Sequence, residues 1–409
     1  MPGSSQPVAK PPAGLQPSLR RRGLVFLGLA VAAAGFTMSL QLGVNSNFVA
    51  DEMGLSGFEQ GLLETARETC GIVALGVLAV LAGFAEPLLA AAMLALFGLG
   101  IGGYAFVHDY LWLVLVSLVW SQGLHVWMPL PNSMALALAE PGRAGRRLGQ
   151  MQAAAAAGSA LGLLAALLLS LAGVTIRPLF LLAGAAGLLA AAACLGIPRA
   201  IKTPGPRLVF RRRYGLYYLL NFLDGWRKQI FVAFAGFMLV RMYGTDIKTM
   251  LILWIAIQAV AWVAAPGVGR LIDRIGERRA LVFYFACLTL FFVGYAVIHD
   301  KLVLYALYVV NGGFMVFSMA LTTYVNRIAP PSEHTPTLSM GVAMNHVAAV
   351  LMPLVGGLLW KFAGYQWTFF VGAAAAALSV LAALRIPRHE PPSAPSPKGG
   401  SPWNAPSSS

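Results

Sequence analysis

Glu64, Arg67 and Glu68 stand at i, i+3 and i+4 of an otherwise apolar stretch. Asp224, Arg227 and Lys228 repeat that spacing in a second one, with Asn221 a turn earlier and Gln229 alongside. In a helix this spacing gathers each trio on one face. Single polar residues punctuate other apolar stretches: Gln41, His125, Asn311, and His346 next to Asn345. Such groups suit two kinds of chemistry. A carboxylate or imidazole withdrawn from water can load and release a proton. Arg227 and Lys228, supported by Arg67, can attract an anionic or zwitterionic solute, because two cations face one carboxylate in the second trio. The alternative is internal neutralisation, in which Glu64–Arg67–Glu68 and Asp224–Lys228 are ion pairs that never meet a solute and the histidines are hydrogen-bonded packing residues.

The elements that hold these groups read as membrane helices. The 409 residues are 58% hydrophobic and 11% charged, with a mean hydropathy of +0.73, against about a quarter charged in soluble domains. The net charge of +14 resides in short clusters between apolar runs, without the continuous basic stripe or interleaved aromatics of a nucleic-acid surface. Cys70, Cys194 and Cys287 stand alone, so neither a disulfide framework nor a metal site is expected, and they read as small packing residues. Trp120, Trp127, Trp226 and Trp254 read as packing or as cavity lining. No HExxH, GxSxG or phosphate loop is present, which argues against an enzyme, a cofactor or direct nucleotide drive.

A hydrocarbon core of about 30 Å needs about 20 helical residues. Runs of that kind lie at 23–45, 58–82, 88–107, 110–138, 148–172, 176–197, 215–240, 247–268, 280–298, 302–327, 337–360 and 366–386, predicting twelve spans. With the N-terminus placed inside, twenty-one Lys and Arg residues fall in inside segments. Only Arg177, Arg241, Lys248, Lys301 and Lys361 fall outside, which predicts that both termini are cytoplasmic. The basic stretch 198–214, with Pro198, Pro204, Pro206 and Arg207, divides the chain into six-helix bundles at 23–197 and 215–387. A cytoplasmic tail at 1–22, including Lys10, and a disordered Pro/Ser/Gly-rich tail at 388–409, with Arg388 and Lys398, flank them. At about 1.5 Å per residue, Glu68, His125, Asp224, Asn311 and His346 all come near mid-depth. There an uncompensated charge costs about 2.5–3.5 kcal/mol on insertion scales.

The segment Gly269-Arg270-Leu271-Ile272-Asp273-Arg274-Ile275-Gly276-Glu277-Arg278-Arg279 reads as a charged cytoplasmic turn between the eighth and ninth spans, and it resembles the G-x-L-x-D-R-x-G-x-R-R signature of the major facilitator superfamily. Pro353 to Trp360, followed by Gly364-Tyr365 and Phe369-Phe370, is similar to the eleventh-to-twelfth helix region of such transporters. The resemblance implies an all-α fold of two rocking six-helix bundles. It also implies a gate built on Gly269, Asp273, Arg274, Gly276 and Arg278, with Arg327 as a partner for Asp273 when the cytoplasmic side is shut. It places Gln41, His125, Asp224, Arg227 and Asn311 along a central cavity, and Glu64, Arg67, Glu68 and His346 at the interface between bundles. Two departures stand out: the N-terminal counterpart Gly83-Phe84-Ala85-Glu86-Pro87 lacks the Asp-Arg pair, and the fifth span keeps Gly158-Ser159 and Gly162 in place of the Gly-Pro motif of many drug exporters.

These features predict a monomeric secondary transporter of a small solute, coupled to protons or another ion, in a bacterial inner membrane. Two competing readings are an exporter of hydrophobic or cationic compounds, and a sensor or scaffold that keeps the fold without transport.

Overall fold

The computed structural model describes residues 16–140, 142–203 and 210–387. Lys10, Pro204, Pro206, Arg207, Arg388, Lys398 and the expected C-terminal tail lie outside them. The helices are α1 (Pro17–Asn47), prolonged by a π segment Phe48–Glu52; α2 (Gly57–Val80); α3 (Glu86–Gly103); α4 (Tyr110–Trp127) and α5 (Leu130–Leu138); α6 (Ala144–Leu171); and α7 (Ile176–Cys194). After the linker come α8 (Gly215–Ile230), a π segment Phe231–Ala235 and α9 (Gly236–Tyr243); α10 (Ile247–Ile275); α11 (Glu277–Val297); α12 (Lys301–Phe314) and α13 (Met319–Ile328); α14 (Pro331–Ala363); and α15 (Tyr365–Ala383). Among the described residues, strand pairing is limited to one isolated bridge, Ala85 with Lys202.

Among the described residues, ten helical runs are long and apolar enough to cross a membrane. The remaining two of the twelve expected runs are α2 and the continuous stretch Gly215–Tyr243, and these carry the Glu64 and Asp224 clusters. They are full-length helices in which charge replaces part of the apolar surface.

Helix starts show the polarity of the bundle. Ser56 caps α2 in a reciprocal capping box with Glu59, and Asp109, Asp246 and Asp300 cap α4, α10 and α12 through the backbone N–H groups of Trp112, Thr249 and Val303. All four helices begin on the face where α1 ends, called here the far face. The acidic caps therefore collect opposite the basic clusters of the face that bears the termini.

Two expectations change. Helix α1 starts at Pro17, so Arg20, Arg21 and Arg22 belong to its first turns and not to a tail; a proline at the first helical position costs no hydrogen bond. The charged turn at 269–279 is also shorter than its sequence suggests. Helix α10 continues through Gly269, Asp273 and Arg274, and the reversal is made at Gly276 alone, whose φ of 79° a side chain would oppose.

Within each half, glycines let backbones touch. A Cβ on Gly158 of α6 would lie 1.9 Å from the carbonyl oxygen of Ala32 on α1, and one on Gly162 would lie 2.4 Å from that of Phe36. This is small-residue packing suited to lipid, where apolar burial gives helices no reason to associate.

Candidate functional site

The capping box at Ser56 sets the phase of α2. It turns Gln60, Glu64 and Arg67 inward, and all three are buried. Arg67 Nη1 donates to Glu64 Oε1 at 2.5 Å, and Gln60 Nε2 donates to the same oxygen at 3.2 Å. The guanidinium lies over the Trp120 ring, 4.2 Å from its centroid, while the Arg67 carbonyl accepts from Ser121 Oγ at 2.8 Å. Glu64 and Arg67 thus form a buried ion pair.

Glu68 does not join that pair. Its Oε2 lies 3.9 Å from His125 Nε2 on α4 and 3.5 Å from His346 Nδ1 on α14, and the two imidazole centroids are 5.3 Å apart. Gln229 of α8 donates to Glu68 Oε1 at 3.4 Å. His125 Nδ1 bonds the Ser121 carbonyl at 2.8 Å, which assigns the proton to Nδ1 and leaves Nε2 facing Glu68. Two residues from the first half and two from the second therefore meet at mid-depth. Glu68, His125 and His346 bring one ligand atom each within 4.8 Å of one another, a grouping that the spacing of these residues in the chain does not suggest. The sequence carries no sign of it because the three residues come from three distant helices.

The second trio also separates. Arg227, 1% exposed, holds Asp224 and donates from Nη2 to the Tyr284 hydroxyl at 2.9 Å. Both side chains thus turn into the core of the second half and not toward an open cavity. Lys228 points elsewhere and is exposed, so the expected two cations around one carboxylate are not found. Asn311 is fully buried and reaches Tyr295 at 3.5 Å; Gln41 is fully buried and donates to Asn45 at 2.9 Å. Trp120 and Trp127 are buried and Trp226 and Trp254 half-buried, all four within the packed core.

Contacts between the halves run from this cluster to the far face. Gln60 Nε2 donates at 3.1 Å to the carbonyl of Ala233, in the π segment where the regular helical bonding pattern is interrupted. Asn47 donates to the Thr245 carbonyl at 2.9 Å. A Cβ on Gly61 would sit 2.3 Å from the Pro353 carbonyl oxygen, and one on Gly57 would sit 2.3 Å from the Trp360 ring. These two glycines, a G-x-x-x-G pair, form the tightest part of the seam. Sequence reading passed over them, although the spacing itself was the available signal.

At the face bearing the termini, no hydrogen bond or ion pair among the described residues joins the halves. Asp273 is exposed, and Arg327, expected as its partner, pairs with Glu277 at 3.1 Å. Glu277 opens α11 immediately after the Gly276 reversal, which brings its carboxylate to Arg327. The unequal N-terminal hinge has a physical substitute for charge: Gly83, Phe84 and Glu86 exchange backbone hydrogen bonds with Ile201 and Thr203. From the linker, Arg211, Arg213 and Tyr214 converge on Glu333, ahead of the apolar part of α14 in the second half.

Known proteins give the same architecture. The nucleoside transporter NupG superposes with a TM-score of 0.70 at 15% identity, covering 90% of this chain and 98% of that one. A bacterial homologue of the lysosomal transporter Spinster, in its inward-facing and occupied conformation, gives 0.70 at 14%, covering 92% and 100%. The D-xylose-proton symporter gives 0.70 at 12%, covering 90% and 97%. In sequence, MdtD of Escherichia fergusonii, a protein named for multidrug resistance, is 28% identical over 130 residues, which is 30% of this chain. The chain thus spans about a quarter of the length of that relative, 26%. The model of the Major Facilitator Superfamily matches residues 217–408. That match falls in the second half of the chain, and the fold that the three solved transporters share runs along its length.

Proposed function

We propose that the protein is a secondary active transporter that moves a small anionic or zwitterionic solute across a bacterial inner membrane by alternating access, with protons as the coupling ion. Twelve helices cross the bilayer, both termini are cytoplasmic, and bundles 23–197 and 215–387 rock as a monomer about the α2–α14 seam. The far face is then external and shut, and the cytoplasmic face is the open one.

The observation that supports this reading is the placement of Glu68, His125, His346 and Gln229, where ionisable groups from both halves touch at mid-depth. Opening the far face must break the Glu68–His346 contact. A proton on the carboxylate or an imidazole changes the strength of that contact, so charge state and access are linked. Arg67 Nε, a buried donor that lacks an acceptor, supports a preference for anionic groups. Asp273, Arg274 and Arg278 act as the cytoplasmic latch when that face closes, with Gly269 and Gly276 shaping the hinge.

Proteoliposomes with an imposed pH gradient test this reading against a panel of nucleosides, sugar acids, amino acids and carboxylates. Glu68→Gln and His346→Gln are expected to abolish gradient-driven accumulation, while Asp224→Asn and Arg227→Ala lower it through the packing of α8. Unchanged gradient-driven flux in all four variants would exclude proton coupling at these groups.

The likeness to MdtD over 130 residues favours a second reading, export of hydrophobic or cationic compounds. Against it, α1 carries no acid in its apolar part, and Glu64 and Asp224 are already engaged by arginines. Drug-susceptibility profiles of an overexpressing strain separate the two.

A further inference from the structure

We propose that Glu68, His125 and His346 form a binding site for a divalent transition-metal ion of the zinc class, which straddles the two halves and holds the far face shut. Two imidazoles and one carboxylate are a donor set for zinc and its neighbours rather than for magnesium or calcium, which take oxygen ligands. A tetrahedral ion with bonds of about 2.0–2.1 Å separates its ligand atoms by about 3.4 Å. The carboxylate oxygen stands 3.5 Å and 3.9 Å from the two ring nitrogens, with all three atoms within 4.8 Å. A contraction of about an ångström therefore completes the geometry, and the fourth position stays free for water.

The surroundings orient the ligands as a metal site requires. The Ser121 carbonyl fixes the proton of His125 on Nδ1, presenting Nε2 to the ion, and Gln229 steadies the second oxygen of Glu68. His346 Nδ1 faces Glu68 Oε2 at 3.5 Å. Room for the ion depends on Gly71, because a Cβ there would lie 2.7 Å from His346 Nδ1 and 3.1 Å from His125 Cδ2. The neighbouring cation Arg67 is held by Glu64 and does not compete for Glu68. Helices α2 and α4 belong to the first half and α14 to the second, so an ion bound by all three ties the halves at mid-depth. Its effect on access rests on the rocking-bundle reading above, whereas its binding does not.

The test uses the full-length protein in detergent, with Co²⁺ as a spectroscopic probe and Zn²⁺ as competitor. The expected result is one Co²⁺ per chain with the visible absorption of a four-coordinate ion, displaced by Zn²⁺. Glu68→Gln and His346→Gln, chosen to keep size and polarity, should each weaken binding by at least about tenfold, the scale of losses at metal sites. Gly71→Val, which leaves all ligands in place, should do the same. Zn²⁺ should also slow labelling of a far-face cysteine at Ser46→Cys. Absence of stoichiometric Co²⁺ binding, or affinity unmoved by His346→Gln in protein that elutes as a single folded species, overturns the site and leaves the carrier reading intact. Ligand-dependent binding that does not change Ser46→Cys labelling overturns the clamp.

Discussion

Gly61→Ala adds one carbon where the two halves meet most closely. That carbon would lie 2.3 Å from the Pro353 carbonyl oxygen, 2.9 Å from Gly357 Cα and 3.1 Å from Gly357 N. All three neighbours are backbone atoms, so no side chain can swing aside, and α2 must retreat from α14 by about 1 Å to reach an ordinary contact. Overpacking of this kind costs about 1–3 kcal/mol. The cost falls only on the arrangement in which the far face is shut, because opening separates these helices. The equilibrium should therefore move toward the far-face-open form by about 5–150-fold. Ser46→Cys reports this, since the Ser46 hydroxyl stands 2.8 Å from where a Cβ on Gly236 of the second half would be. With Cys70, Cys194 and Cys287 replaced by alanine, an impermeant maleimide added from the far side should label Ser46→Cys faster in the Gly61→Ala background by that factor. Gly76→Ala on the same helix is the control, because its Cβ would meet nothing within 4 Å. Equal labelling in the two backgrounds would show that the α2–α14 seam does not hold the far face closed.

Gly158→Ala clashes with the Ala32 carbonyl inside the first half, so it should lower melting stability by about 1–3 kcal/mol while leaving the ratio of far-face to cytoplasmic labelling unchanged. Arg67→Met strands the buried Glu64 carboxylate and should cost about 3–5 kcal/mol in denaturation experiments, whereas Arg67→Met with Glu64→Leu should recover most of that loss; equal losses would remove the pair as the cause. The Glu333 carboxyl, outside the apolar span, is held down to about 2 from 4.5 chiefly by its hydrogen bond from Arg213, then by Tyr214. The unfolded chain binds the proton first, so the clamp contributes fully above about pH 4.5 and is lost as pH falls toward 2. Protease cleavage in the linker should rise across that window in the wild type and be pH-independent there in Glu333→Gln.

Sequence alone determined the helical framework. Apolar runs long enough to cross a bilayer leave the backbone no alternative to helix, so the predicted and observed runs agree within a few residues over most of the chain. Charge at mid-span was equally legible, because ionisable groups are rare enough in apolar runs to stand out. What those charges do was decided by tertiary structure. Helical spacing put Glu64, Arg67 and Glu68 on one face, yet a face is broad enough to meet two neighbours. Packing gave Glu64 and Arg67 to Trp120 and Ser121, and gave Glu68 to His125, His346 and Gln229. It likewise turned Arg227 into Tyr284 and left Lys228 outside, which no spacing rule resolves. The seam at Gly57 and Gly61 and the three-residue cluster beside it depend on which helices approach each other and how closely. Those distances come from the shapes of surfaces far apart in the chain, and only the folded bundle brings them together.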